Sequence, residues 1–204
     1  IVTLPYDAMI REKRDKECPA GAQSGFYPGG VYTYEKSFLA PEEWKNQDVV
    51  LEFEGIYGTA RVWINGALAT VNRNGYMGFS VDLKPWICYG QENLIKIDVD
   101  NSNQPNSRWY TGSGIYRDVN LWTGKGVYIP HDEMKITTLS VNDDVAVVEV
   151  CANVKNTKAC GIEAKCYVEL IFEGKTVVTE KQNIVFYSER TETVRVQLPV
   201  KCPK

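Results

Sequence analysis

The chain contains one histidine, no Cys-x-x-Cys pair, and no block of basic residues. The scattered Cys18, Cys88, Cys151, Cys160, Cys166 and Cys202 do not cluster with that histidine as thiolate and imidazole ligands of a structural zinc would. No metal and no cofactor are therefore expected. Lys and Arg number 23 against 26 Asp and Glu, for a net charge of −3, which lacks the electrostatic footprint of a nucleic-acid binder. No apolar run approaches the roughly 18 residues of a membrane-spanning helix, so no membrane partner is expected. An apolar signal core is also missing: Ile1-Val2-Thr3-Leu4-Pro5 leads into the charged stretch Arg11–Lys16. The opening reads as that of a segment from inside a longer protein, and it leaves the parent's compartment unread. With 204 residues the chain is too short for a complete (β/α)₈ barrel, which takes about 250.

What the sequence does have is alternation with a period of two. Val49, Leu51 and Phe53 form one apolar face, Ala60, Val62 and Ile64 a second, and Ile95, Ile97 and Val99 a third. Val119 and Leu121 continue the pattern around Asn120. The second run stops at Asn65-Gly66, the preferred pair for a type I′ hairpin, whose two central residues both need positive φ. Pro41-Glu42-Glu43-Trp44 is the one good helical start and predicts a single turn between strands. The expected fold class is all-β: an antiparallel sandwich over residues 1–126, then a smaller immunoglobulin-like sandwich over 127–204.

The second domain shows about six strands, with turns at Asn142-Asp143-Asp144 and Glu173-Gly174, and is expected to be incomplete at its C-terminus. An open edge of that kind invites pairing with another chain, so a homo-oligomer is a possible state. Cys166 falls in the series Ala164, Cys166, Val168, Leu170, Phe172 and reads as a small buried hydrophobe. Reduced structural thiols favour a cytoplasmic compartment over a secreted one.

Two loops carry the functional signal. One is Gly25-Phe26-Tyr27-Pro28-Gly29-Gly30. The other runs from Asp100 through Asn101, Arg108, Trp109 and Tyr110 to Gly112-Ser113-Gly114-Ile115-Tyr116-Arg117-Asp118, rich in amides and hydroxyls. Long structured loops on a β scaffold are usually functional.

The stretch Ser107–Val119, with Leu4-Pro5-Tyr6-Asp7, Val62-Trp63-Ile64-Asn65-Gly66 and Asn93–Ile97, resembles the N-terminal sugar-binding domain of family 2 glycoside hydrolases, the β-galactosidase and β-glucuronidase group. The resemblance implies a jelly-roll domain and part of an immunoglobulin-like domain, with the hydrolytic glutamates on a barrel outside this chain. The chain itself is then expected not to be an enzyme. It would brace the barrel and lend a loop to a carbohydrate pocket, in a parent that carries out retaining hydrolysis of a terminal β-linked sugar through a glycosyl-enzyme intermediate. Tyr6 and Ala8 stand where the family usually has His and Trp around the Asp. Some members carry an acid near the position of Arg108 that helps hold sodium and the sugar; Arg108 cannot bind a cation, so that metal site does not carry over.

The candidate substrate-binding residues are Arg108, Trp109, Tyr110, Asp7, Asp100 and Asn101; none is catalytic. Arg108 either reaches the sugar or a carboxylate, or pairs inside the loop with Asp100 or Asp118. Trp109 and Tyr110 either stack on a pyranose or anchor the loop. Gly112 and Gly114 read as close backbone packing rather than a phosphate loop. Arg117 and Asp118 read as a structural ion pair, and Trp63 and Trp86 as packing residues. His131, following Pro130, is too isolated for a triad. Two rivals remain: an autonomous carbohydrate-binding module gripping a glycan with Trp109, Tyr110 and the Tyr27 loop, and a secreted, disulfide-bonded adhesion protein.

Overall fold

A computed structural model describes residues 1–130, 133–201 and 203. The fold is all-β, with only short 3₁₀ turns beside its strands, and it divides into two compact units, Ile1–Thr123 and Gly124–Lys204.

The first unit is a jelly-roll sandwich. Its strands are β1 (Val31–Ala40), β2 (Asp48–Phe53), β3 (Ile56–Tyr57), β4 (Thr59–Ile64), β5 (Ala67–Asn72), β6 (Phe79–Asp82), β7 (Gln91–Asp100), β8 (Gly114–Ile115) and β9 (Val119–Gly124). One sheet has the order β1-β7-β4-β5 and a second β6-β2-β9, while β3 pairs with β8. The expected inward faces meet between the sheets: Val49, Phe53, Ala60, Val62, Ile64 and Val99 are all fully buried. Phe53 stacks on Phe79 with ring centroids 4.9 Å apart. The Asn65-Gly66 turn has φ of 50° and 83°, as a type I′ hairpin demands, and closes Ile64 onto Ala67. The Asn65 side chain then donates to the Trp86 carbonyl at 3.0 Å and to Asn93 Oδ1 at 2.8 Å, tying the hairpin to the next loop. The Pro41 start yields one 3₁₀ turn, Glu42–Asn46.

Two details depart from simple alternation. Glu52, on the face opposite Leu51, is buried rather than solvated, because Trp122 Nε1 donates to its carboxylate at 2.6 Å across the β2–β9 pair. Leu121, on the same face of β9 as Val119, is 37% exposed rather than buried.

The second unit comprises β10 (Val127–Tyr128), β11 (Met134–Val141), β12 (Val145–Asn156), β13 (Ile162–Phe172), β14 (Lys175–Phe186) and β15 (Thr191–Lys201). Strand β12 lies between β15 on one side and β10 and β11 on the other, and β13 and β14 form a separate hairpin. Its core is small: Val154, Phe186, Val194 and Val196, with Ile162, Ala164, Cys166, Val168 and Ile184 half-buried against it. Asn142 Oδ1 accepts from the backbone of Asp144 and Val145 and so makes the β11–β12 turn. Glu173 and Gly174, with φ of 48° and 75°, make the β13–β14 turn. Strands β14 and β15 extend beyond their apolar cores because ladder bonding carries polar residues such as Gln182 and Thr193 along.

Cys18, Cys88, Cys151, Cys160 and Cys166 are free thiols; Cys88 and Cys160 are exposed rather than buried. Cys202 and His131 lie outside the described residues.

Candidate functional site

The loop between β7 and β8 is held by the N-terminal arm that runs beneath it. Tyr6 N–H donates to the Ile115 carbonyl at 2.7 Å and Ala8 N–H to that of Ser113 at 2.8 Å. Asp7 sits between these rungs. Its Oδ1 accepts from the backbone of Met9 at 3.0 Å and of Ser113 at 2.9 Å, and its Oδ2 accepts from the Tyr110 hydroxyl at 2.6 Å. Carboxylates at the centre of such convergent donors form strong, charge-assisted bonds. The glycines follow from the same closeness. A Cβ at Gly112 would lie 2.8 Å from Asp7 Oδ2, and one at Gly114 only 2.0 Å from the Tyr34 hydroxyl, which itself donates to the Tyr6 carbonyl. Both have positive φ, of 71° and 120°.

Tyr110 is the pivot of this frame. Its ring meets that of Tyr27 at 5.3 Å, and the Arg14 guanidinium lies 5.2 Å from the centroid of the Tyr27 ring. Burial, then the bond to the Asp7 carboxylate, push the Tyr110 phenol far above its ordinary value. Tyr32, close by, is pushed up to about 12, chiefly by burial and then by the charges of Glu12 and Asp7.

Asn101 braces the loop from inside. Buried to 4% exposure, it donates to the Gly112 carbonyl at 3.1 Å and accepts from the Asn106 amide, while its backbone N–H bonds Gly30 at 2.8 Å. Asp100 accepts from the backbone and hydroxyl of Ser102 at 3.1 and 2.7 Å and lies 3.7 Å from Arg61. These contacts, the Ser102 hydroxyl foremost, hold its carboxyl below the usual range.

Arg108 and Trp109 stand apart from this frame. Ser107 Oγ donates to the Trp109 carbonyl at 2.5 Å, a tight turn that leaves the Trp109 side chain 65% exposed. Arg108 is exposed and has no ion pair or hydrogen bond among the described residues. Neither loop-internal partner considered from sequence engages it, since Asp100 is taken by Arg61. The expected Arg117–Asp118 pair is not formed either. Arg117 lies instead over the ring of Tyr116, its guanidinium 5.5 Å from the ring centroid. Among the described residues, no three His, Cys, Asp or Glu side chains converge to hold a metal ion.

The structure thus gathers Asp7, Asn101 and Tyr110 into a half-buried frame, sets Asp100 at its edge, and projects Arg108 and Trp109 as a tip. Arg14, Tyr34, Asn106 and Ser113 are members of the frame that the sequence did not single out; the paired glycines 112 and 114 were the available signal.

Comparison with known proteins places these features in context. The family described as glycosyl hydrolases family 2, sugar binding domain, matches residues 21–125. The β-galactosidase BoGH2A of Bacteroides ovatus is 36% identical over 156 residues, covering 76% of this chain and 18% of that protein. A β-glucuronidase of Bacteroides fragilis is 28% identical over 187 residues, covering 87% of this chain and 27% of its own length. A solved family 2 glycosyl hydrolase from Bacteroides cellulosilyticus superposes over 100% of this chain and 27% of its own, with a TM-score of 0.88 at 27% identity. The chain therefore spans about a fifth to a quarter of these relatives.

Proposed function

Because the chain belongs to family 2 of the glycosyl hydrolases and carries the family's sugar-binding domain, we propose that it serves a larger β-galactosidase-like hydrolase as a non-catalytic part. Its two sandwiches brace a catalytic barrel, and the Arg108–Trp109 tip enters the rim of the substrate pocket. Retaining cleavage of a β-linked sugar needs two carboxyl groups about 5–5.5 Å apart across the scissile bond. That pair belongs to the barrel in this reading. The tip contributes binding: a planar guanidinium suits paired sugar hydroxyls or a carboxylate, and an indole face suits the apolar C–H face of a pyranose.

One observation supports this reading above the others. The loop's root is fixed by half-buried charge-assisted bonds while Arg108, at its tip, is left exposed and unpaired among the described residues. A guanidinium presented from a rigid loop is pre-organised for a ligand.

The test is Arg108→Ala in the full-length parent. Loss of kcat/KM with an unchanged melting temperature is expected; unchanged kinetics would leave Arg108 no part in the substrate pocket. The alternative, an autonomous carbohydrate-binding module gripping a glycan with Trp109, Tyr110 and the Tyr27 loop, is favoured by the exposure of Trp109 and disfavoured by the internal use of Tyr110 and Tyr27. Calorimetry with galactosides and glucuronides on this chain and on its Trp109→Ala variant separates them, since only the module has unaided binding that is lost with Trp109.

A further inference from the structure

A second feature of the first unit is independent of the Arg108–Trp109 tip. Between the β3–β4 corner, the β5–β6 loop and the start of the β7–β8 loop lies a cleft of about 580 Å³, within the usual range of small-molecule sites. One wall is aromatic. The Tyr76 ring is 64% exposed and is met edge-on by Tyr57 at 5.4 Å and 73°. The other wall is polar, with Asp100, Asn103 and Asn106 facing it and Arg73 at the aromatic side.

The aromatic wall is built rather than draped. Asn72 Oδ1 accepts from the Asn74 backbone at 3.1 Å, and Asn74 Oδ1 accepts from those of Tyr76 and Met77 at 3.0 and 3.2 Å. The Tyr116 hydroxyl donates to the Gly75 carbonyl at 2.9 Å. Gly75 itself is required, since a Cβ there would lie 2.8 Å from the Tyr57 ring. The loop is thus tied down from below while the Tyr76 face is left to solvent.

The polar groups have hydrogen-bonding capacity that the fold does not use. Among the described residues, the Asn103 side chain makes no hydrogen bond and Arg73 makes no ion pair. Asn106 spends its amide N–H on Asn101 and keeps its carbonyl oxygen; Asn74 spends its carbonyl oxygen on the loop and keeps its amide N–H. Asp100 is the opposite case, its carboxylate already satisfied by Ser102 and Arg61. A rigid ring face opposite amides that both donate and accept matches a molecule with an apolar C–H face and a hydroxyl rim.

We propose that this cleft binds one pyranose unit of a glycan, stacked on Tyr76 and hydrogen-bonded by Asn74, Asn103 and Asn106. The proposal rests on the cleft alone and stands or falls separately from the role of Arg108.

The test is a titration of the ¹⁵N-labelled 204-residue chain with methyl β-galactoside and with methyl β-glucuronide. Saturable shifts at Asn74, Tyr76, Asn103 and Asn106, with millimolar affinity for at least one glycoside, are expected. Tyr76→Ala and Asn103→Ala should each weaken that affinity at least about fivefold, the scale of a lost stacking or hydrogen-bonding contact, whereas Trp109→Ala should leave it within about twofold. Both substituted side chains are exposed, so the fold tolerates their loss. The proposal is overturned if neither glycoside shifts the cleft, if the shifts centre on Trp109 and vanish in Trp109→Ala, or if Tyr76→Ala and Asn103→Ala bind as the parent sequence does. Unchanged kinetics of Arg108→Ala in the full-length parent would sink the tip reading and leave these outcomes untouched.

Discussion

The Tyr110 hydroxyl donates to the Asp7 carboxylate at 2.6 Å across 103 positions of sequence, and this one bond joins the N-terminal arm to the loop that carries Arg108. Removing only the hydroxyl isolates its worth. Tyr110→Phe is expected to lose about 1.5–3 kcal/mol, the range for a bond to a charged group, in urea unfolding with an unchanged m-value. A loss below about 0.5 kcal/mol would show that water replaces the phenol at no cost.

Burial of Tyr110, and then the same bond, fix the sign of an alkaline effect. The folded-state value of Tyr110 lies above the unfolded value of about 10, so above that pH the unfolded chain has released a proton that the folded chain keeps. The resulting stability is fully present below about pH 10 and declines as pH rises beyond it. Tyr32, pushed up to about 12, and Tyr34, Tyr57 and Tyr89, all raised chiefly by burial, act in the same direction. Melting temperatures between pH 9 and pH 11 should therefore fall, and fall less steeply in Tyr110→Phe. Parallel slopes in the two proteins would contradict this.

Glycine positions give a matched comparison. Gly114→Ala places a methyl 2.0 Å from the Tyr34 hydroxyl at a φ of 120° and should cost at least about 1–3 kcal/mol by overpacking alone. Gly124→Ala meets nothing within 4 Å and has no positive φ, and should be neutral or stabilising by up to about 1 kcal/mol. Thermal melts of the two variants check the contrast; equal costs would mean that the loop root yields easily.

The fourth expectation concerns activity. This chain, purified alone, should release no nitrophenol from nitrophenyl β-galactoside or β-glucuronide, because the carboxylate pair is assigned to the barrel. Turnover that disappears on substituting an Asp or Glu of this chain would move the chemistry into it.

The fold was largely legible because its signals are local. Alternation at Ala60, Val62 and Ile64 and at Ile95, Ile97 and Val99 reports directly which face is buried, and Asn65-Gly66 reports a turn whose dihedrals few other pairs adopt. Burial of Glu52 was not legible, since its cover, Trp122, comes from a strand 70 positions later. The candidate site was half legible. Composition marked the loop, and the spacing of Gly112 and Gly114 marked close packing. It could not tell which polar residues are spent inside: Asp7, Asn101 and Tyr110 satisfy the backbone and one another, while Arg108 and Trp109 remain outside. Arg61 illustrates the reason. It takes Asp100 from the neighbouring strand β4, a pairing that follows from sheet order and not from separation along the chain. The Tyr57–Tyr76 cleft was not legible because its walls come from three separate loops.

The exposed, unbonded thiols of Cys88 and Cys160 fall one in each compact unit. Their accessibility makes them preferred sites for maleimide dyes, ahead of the buried Cys18. Among the described residues, each unit therefore carries an exposed attachment point, and a dye placed there would follow that unit's own unfolding without an engineered cysteine.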